Sequence, residues 1–223
     1  MAFVAAEARE FSGLLRNAEK IVKLDWPLDF ASKVWLNGRM AVLVANGPGP
    51  ALAGEAVDTL KEREEITALV STGFCGALNP ALQPCDIFVA TEVNGIASCP
   101  AGSSAKTGKL LSIDRVASTQ SEKTDLRTMG ADAVEMEAAA IAQRAQQWNV
   151  PFYCIRVVTD TAAESLPLDF NRMRDAEGRF SRARILVAAC KRPGVVFPEL
   201  IKLNRRCNDA AKALGDFIAG CRF

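Results

Sequence analysis

Residues 130–160 read GADAVEMEAAAIAQRAQQWNVPFYCIRVVTD, and this stretch holds the signals that decide the fold. Residues 138–148 have the periodicity of a helix with an alanine-rich face. Pro151 ends that helix, and residues 152–158 follow as a run that is apolar on both faces. Such a run is typical of a buried, largely parallel strand, so the pair indicates an α/β protein.

The alternation of strands and helices continues outward from this stretch. Four further β-rich runs precede it, at residues 2–6, 40–45, 68–71 and 86–90. A helix is predicted over residues 51–63, a flexible loop over 95–108, and a mostly helical tail after residue 160 with breaks at 177–178 and 192–194. With no internal repeat or linker, the pattern predicts one domain over residues 1–223, built as a three-layer α/β/α sandwich.

Composition restricts the function classes. The 27 basic and 26 acidic residues nearly cancel, so we expect neither a nucleic-acid partner nor attraction to an anionic membrane. No apolar run approaches the roughly 20 residues that span a bilayer, and seven cysteines without a CxxC pair indicate reduced thiols. We therefore expect a soluble, cytoplasmic protein without a membrane span.

The chain contains no histidine. This removes the commonest general base, the Ser-His and Cys-His nucleophile systems and the usual zinc sites, so we expect no metal. Acid–base chemistry near neutral pH must then fall mainly to carboxylates.

Polar and glycine residues follow several of the strand runs, where ligands bind in open α/β sheets. The turns at residues 46–50 and 71–76 can present backbone N–H groups, although tight turning alone explains their glycines. Asp160 ends the last strand, with a helix N-cap as its structural alternative. Helix-end charge is the alternative for residues 135–137, and an exposed helix carboxylate is the alternative for Glu10.

The stretch GADAVEMEAAAIAQRA, followed by VPFYCIRVVTD, resembles the signature of the purine nucleoside phosphorylase and methylthioadenosine/S-adenosylhomocysteine nucleosidase superfamily, V-E-M-E-x-x-A-x-A, then V-P-F and R-x-x-S-D. Residues 71–90, STGFCGALNPALQPCDIFVA, resemble its N-T-G-x-A-G-G-L…L-x-x-G-D-I-V-V-A segment, and residues 45–53 its S-G-x-G-x-x-x-A turn. The resemblance implies a nucleoside phosphorylase-like sandwich around a mixed, partly barrel-like sheet. It also implies self-association into homo-oligomers and cleavage of a purine nucleoside.

The resemblance also implies roles for particular residues. Asp160 would protonate or hydrogen-bond N7 of the purine, and Glu137 would accept hydrogen bonds from the ribose hydroxyls. Met136 would pack beneath the ribose, Glu10 would orient the attacking water, and Phe170 would pack near the substrate or in the core. The remaining candidate substrate contacts are Glu135, Gly73, Cys75 and Gly76.

The sequence leaves the choice between two nucleophiles, water and phosphate, open. Water positioned by Glu10 gives hydrolysis, which a nearby carboxylate favours because it repels a phosphate dianion. Phosphate as co-substrate, held by the turns of Gly47, Thr72 and Gly73 with Arg156 or another arginine, gives phosphorolysis; no other cofactor is expected. A third reading is a nucleoside-binding protein without turnover.

The sequence is also similar to the hopanoid-associated phosphorylases, through VAAEAREFSGLL, EKTDLRTMGADAVEMEAAAIA and the tail DAEGRFSRARILVAACKRPGVVFPELIKL. That subgroup is linked to release of adenine from a nucleoside attached to a hopanoid chain. Several positions depart from the wider family. Thr159 replaces its serine, and Phe74 replaces a common Ser or Thr of the glycine loop. The phosphate segment G-D-P-x-R is absent, and residues 116–119 are the nearest equivalent of the base-stacking segment S-G-D-x-F.

Overall fold

The computed structural model describes residues 1–223. Its ten strands are β1 (Ala2–Ala5), β2 (Lys20–Lys23), β3 (Phe30–Leu36), β4 (Arg39–Ala45), β5 (Leu69–Ala77), β6 (Ile87–Val93), β7 (Ile96–Ala97), β8 (Lys106–Ser112), β9 (Ala133–Glu135) and β10 (Phe152–Asp160). Its α-helices are α1 (Ser12–Arg16), α2 (Pro50–Arg63), α3 (Gln120–Arg127), α4 (Ala138–Gln147), α5 (Arg182–Cys190) and α6 (Pro193–Gly220). Short 3₁₀ helices cover Ala8–Phe11 and Phe170–Met173.

The strands form one mixed sheet in the order β10-β6-β8-β9-β5-β1-β4-β3-β2, with β7 paired to β6. Because β10 also pairs with β5, the strands β5, β9, β8, β6 and β10 close into a barrel. The other strands extend from this barrel as an open sheet. The mixed, partly barrel-like α/β fold that the resemblance implies is therefore confirmed.

Helices cover both faces of the sheet, as the alternation of β1 shows. Ala2 and Val4 point into a core that also holds residues of α2 and α4. Phe3 and Ala5 point the other way, into a core with residues of α1 and α6. Successive side chains of a strand face opposite sides, so a short apolar strand can serve two cores at once.

The expectation of a largely parallel sheet is correct at its centre and wrong at its margins. The strands β1, β4, β5 and β10 pair in parallel, but β3 pairs antiparallel with both β2 and β4, and β6 is antiparallel to β10. Asn37 and Gly38, with φ of 51° and 72°, form the tight turn that joins β3 to β4. Two consecutive left-handed residues are typical of such a hairpin.

Two other predictions need correction. Residues 95–108 are not one loop, because β7 and the start of β8 lie within them. The tail is irregular over residues 161–181 apart from its 3₁₀ helix, and its break near residue 192 is confirmed, with Pro193 starting α6. A single domain stays a prediction. None of the helices combines the length and apolar character needed to cross a membrane.

The parallel centre of the sheet determines where the polar residues gather. The strands β4, β5 and β10 run in the same direction, so their carboxyl ends lie at one edge. The turn after β4, the last residues of β5 and the end of β10 therefore meet there.

Candidate active site

A cavity of about 510 Å³ opens at this edge of the sheet. One part of its wall is polar and comes from the strand ends and the first 3₁₀ helix. Another part is apolar and comes from the tail, through Leu166, Phe170, Phe180, Ile185, Leu200 and Leu203. A pocket with a few convergent polar groups and a large apolar wall is typical of a small-molecule site.

Glu135 is an anchor at the junction of β9 and α4. Its carboxylate accepts hydrogen bonds from the backbone N–H groups of Glu137 at 2.9 Å and Ala138 at 3.0 Å, and it forms an ion pair with Arg156. Its side chain is only 2% exposed. Although Glu135 borders the cavity, its oxygens are thus engaged within the protein, at the start of a helix where negative charge is favourable.

Glu137 and Met136 lie on the cavity wall. The carboxyl group of Glu137 accepts a hydrogen bond from the backbone N–H of Gly49 at 2.8 Å and lies 3.9 Å from Arg156. Burial, followed by the negative charge of Glu135, raises the pKa of Glu137 to about 8, against the opposing effect of Arg156. A carboxyl group that titrates near neutral pH is common at functional sites.

The structural alternative for Glu10, an exposed carboxylate on a helix, is wrong. It is 6% exposed and lies in the 3₁₀ helix after β1. Its carboxyl oxygens accept hydrogen bonds from the backbone N–H groups of Glu7 at 2.9 Å and Phe74 at 2.8 Å. Burial raises the pKa of Glu10 although both hydrogen bonds lower it. Gly73, with φ of 133°, leaves room for this group, because a Cβ there would lie 2.5 Å from Oε1 of Glu10.

Asp160 completes the polar wall from the end of β10. Oδ1 accepts a hydrogen bond from the hydroxyl of Thr159 at 2.8 Å, and Oδ2 contacts the ammonium of Lys123. No helix follows Asp160, so it is not an N-cap. Gly76 faces it closely: a Cβ on Gly76 would lie 3.0 Å from Oδ2. Cys75 lies on the same wall, and burial raises the pKa of its thiol well above the usual range.

The structure does not bring the predicted phosphate residues to the cavity wall. Arg156 is fully buried and donates to the carbonyl of Thr72 at 2.9 Å, to the hydroxyl of Ser71 at 2.6 Å, and to Glu135. The backbone N–H of Gly47 donates to the carbonyl of Ala6 at 2.8 Å. The arginines that do border the cavity are Arg9, Arg115 and Arg182.

The tail supplies residues that sequence reasoning missed or placed only loosely. Phe170 borders the cavity and packs edge-on against Phe180, with ring centroids 6.1 Å apart. Asn171 fixes this segment by hydrogen bonds with both backbone groups of Val116, at 2.8 and 2.9 Å. The tail thus braces the segment that is nearest to the family's base-stacking stretch. For Phe170 the family resemblance was the signal, whereas nothing in the sequence analysis pointed to Phe180, Ile185, Leu200 or Leu203 as cavity residues.

Lys123 was also missed. A lysine in the charged stretch QSEKTDLR is typical of an exposed helix, yet its side chain is fully buried against Asp160. The one sequence signal for an inward face is the apolar Leu126, three residues further along the same side of the helix, and the structure buries it.

The model of the phosphorylase superfamily matches residues 28–105 and 102–190. A 5′-methylthioadenosine/S-adenosylhomocysteine nucleosidase of Psychromonas ingrahamii is 27% identical over 175 residues, which are 61% of this chain and 75% of the relative. The crystal structure of the enzyme of that name from Neisseria meningitidis, in complex with methylthio-immucillin-A, has a TM-score of 0.74 at 22% identity, covering 98% of this chain and 96% of that chain. A futalosine hydrolase mutant of Helicobacter pylori has a TM-score of 0.70 at 14% identity, covering 97% and 95%. The structural likenesses show a shared fold. The family match includes Glu137, between β9 and α4, and Asp160, at the end of β10.

The chain belongs to the phosphorylase superfamily.

Proposed function

We propose that this chain is an enzyme that cleaves the N-glycosidic bond of a purine nucleoside and releases the free base, with adenine as that base. One observation carries the proposal: Glu10, Glu137 and Asp160 come from three separate parts of the chain and border one cavity. The names of the relatives, which are adenine-nucleoside nucleosidases, support the same chemistry.

The purine end of the substrate is proposed to lie against Asp160. A carboxyl group there hydrogen-bonds N7 and favours its protonated form, which makes the base a better leaving group. Val116, which hydrogen-bonds Asn171, and Ala117 border the cavity and are proposed to contact the base through their apolar side chains. Protonation of N7 draws electrons away from the N9–C1′ bond, and this is how a group remote from that bond would assist its cleavage.

The ribose is proposed to lie over Met136, with its hydroxyl groups on Glu137. As the sugar gains oxocarbenium character, its positive charge favours the ionised form of this carboxyl group. Because the pKa of Glu137 is raised, its carboxyl group is largely protonated before the reaction. Its attraction to the sugar therefore becomes stronger only as the positive charge develops. Binding that strengthens in the transition state accelerates the reaction.

Water is the nucleophile that this site favours. A carboxylate at Glu10 and a phosphate oxygen 4 Å apart repel by about 4 kcal/mol per pair of charges near a protein surface. Arg156, the arginine named as a phosphate partner, donates to Glu135 instead, and the arginines that border the cavity are Arg9, Arg115 and Arg182. Burial raises the pKa of Glu10, and a more basic carboxylate takes a proton from water more readily.

The 5′ substituent of the nucleoside is proposed to be apolar. Phe180, Ile185, Leu200 and Leu203 line the tail side of the cavity and outnumber its polar residues, Arg182 and Asn204, so most of this wall offers little to a charged or hydroxyl-rich group. An apolar 5′ substituent agrees with the sequence similarity to the hopanoid-associated subgroup. We therefore propose a nucleoside with a hydrocarbon-rich 5′ group as the substrate.

The reaction is tested by measuring base release from adenosine, inosine, methylthioadenosine and 5′-deoxyadenosine, each with and without phosphate. We expect phosphate-independent release of adenine. Release that requires phosphate would replace hydrolysis by phosphorolysis. Ligand-dependent thermal stabilisation without release from any substrate would instead establish the non-catalytic binding protein.

Asp160→Asn tests the role of the purine-side carboxyl group. We expect kcat to fall at least roughly 100-fold with folding preserved, because the amide cannot hold or exchange the proton. Asp125→Asn, on the exposed side of α3, is the matched control and should keep wild-type turnover. Near-normal turnover of the Asp160 variant would refute this assignment.

A homo-oligomer in the cytoplasm is proposed as the working form. All seven cysteines are free, which supports a reducing compartment. The large apolar side chains exposed on α5 and α6, namely Leu186, Val187, Val195 and Ile201, support a subunit contact. Light scattering on the purified protein measures the oligomeric state directly.

A further inference from the structure

The ammonium group of Lys123 is withdrawn completely from solvent, with a side-chain exposure of 0%. It donates to Oδ2 of Asp160, to the carbonyl of Thr161 at 2.8 Å and to the carbonyl of Glu164 at 3.0 Å. These three bonds use all of its donors. Burying an ammonium group is costly unless it is paired, so this lysine has a specific partner, and that partner is a carboxylate of the proposed active site.

The local sequence turns Lys123 inward. Thr119 caps α3 by accepting a hydrogen bond from the backbone N–H of Glu122 at 3.2 Å. The carboxylate of Glu122 pairs with Arg115 at 2.7 Å and accepts a hydrogen bond from the backbone N–H of Ser118 at 3.0 Å. These contacts fix the first turn of α3. Lys123 and Leu126 are the buried residues of this helix, so Lys123 lies on the face that is turned into the protein.

We propose that Lys123 is a positioning residue that holds Asp160 as an oriented carboxylate at the purine edge of the cavity. This proposal rests on the proposed function. Lys123 fixes Oδ2 and Thr159 fixes Oδ1, so the carboxyl group cannot rotate away from the cavity. The carboxyl group held in this way is oriented to accept a hydrogen bond from a protonated N7.

The other groups around Asp160 do not replace Lys123. Arg206 of α6 donates to the carbonyl of Thr159 at 3.0 Å and pairs with Glu164 at 2.9 Å, so its charge is already compensated. The thiols of Cys75 and Cys207 stay neutral, because burial raises the pKa of both, to about 11 for Cys207. Lys123 is therefore the cation in direct contact with the carboxylate.

Two substitutions test the proposal. Lys123→Gln keeps a hydrogen-bond donor without charge, and Lys123→Met removes both. We expect kcat/KM to fall roughly 100-fold in the methionine variant, through kcat with KM nearly unchanged, and to fall less in the glutamine variant, which keeps a donor for Oδ2. Lys109→Gln, whose side chain is 59% exposed, is the control and should match the wild type. A folded Lys123→Met variant with wild-type kcat would overturn the positioning role.

A second measurement separates this proposal from the proposed function, because it needs no turnover. At one fixed pH, the ¹³C chemical shift of the Asp160 carboxyl carbon, assigned with Asp160→Asn, should differ between Lys123→Gln and the wild type, because the ammonium group contacts its oxygen. An unchanged chemical shift overturns the role of Lys123 even if base release is normal. A wild-type protein that releases no base, with the chemical-shift difference present in the variant, would refute the proposed function alone.

Stability gives a third readout if the single variants fold poorly. Removing one member of a buried ion pair leaves the other charge uncompensated, whereas removing both does not. The double variant Lys123→Met/Asp160→Asn should therefore have a higher denaturation midpoint than Lys123→Met alone. A double variant less stable than the single one would show that the two side chains do not act as a pair.

Discussion

Glu137 shows how one side chain combines a structural constraint with the proposed chemistry. It accepts a hydrogen bond from Gly49 and lies 3.9 Å from Arg156, whose closer partner is Glu135. We expect Glu137→Gln to lower kcat by about 10²–10³-fold with a smaller change in KM, because the charge matters most when the sugar is cationic. Steady-state kinetics measure this, with the exposed Glu62→Gln as control. A pure increase in KM would mean that Glu137 only binds the ground state.

At the residue scale, the sequence predicted the carboxylates better than their partners. Glu10, Glu137 and Asp160 follow strand ends in segments that carry the family resemblance, so their meeting at one cavity could be anticipated. The direction of Arg156 could not, because it depends on Glu135 being held by the start of α4. Lys123 could not be predicted for a similar reason. Its burial depends on partners that are distant in sequence, namely Asp160 and the carbonyl groups of Thr161 and Glu164.

At the scale of elements, the contact of α1 with α6 depends on two glycines. A Cβ on Gly215 would lie 2.1 Å from backbone atoms of Gly13 and Leu14, so the helices cross in direct backbone contact. We expect Gly215→Ala to destabilise the protein by about 1–3 kcal/mol or more, because the helices must separate. Chemical denaturation measures the change.

Gly220→Ala is the matched control for that substitution, since it lies in the same helix with no atom within 4 Å of the added Cβ. It should leave the denaturation midpoint nearly unchanged. Equal midpoints for the two variants would show that the helices can part without cost. Because Leu200 and Leu203 of α6 line the cavity, Gly215→Ala should also weaken substrate affinity, whereas Gly220→Ala should not.

The sequence also predicted elements unevenly. The helix over residues 138–148 and the strand over 152–158 were recognised because periodicity and proline mark their ends, and the structure extends the strand to Asp160. The hairpin of β3 and β4 was missed although Asn37-Gly38 is a strong turn signal. The short strand β9 could not be found from pattern, because its three residues acquire their pairing from β5 and β8.

At the scale of the whole molecule, the buried carboxyl groups make stability depend on pH. The pKa of Glu137 rises from 4.5 to about 8 on folding, because burial and Glu135 disfavour its anion. Between these values the folded protein holds a proton that the unfolded chain has lost. Stability therefore falls as pH rises from about 4.5 to 8, by up to about 1.4 kcal/mol per pH unit for one group. The raised pKa of Glu10 acts in the same direction.

Glu137→Gln isolates this effect, because the amide is neutral throughout and its oxygen can still accept the hydrogen bond of Gly49. We expect the variant to lose less stability than the wild type between pH 5 and 8, as measured by urea denaturation at each pH. The lowered pKa of the Met1 amino group works in the opposite direction near pH 8, but it is common to both proteins and cancels in the comparison. Parallel stability curves would mean that Glu137 is already ionised in the folded protein, so its charge would be present before the substrate binds.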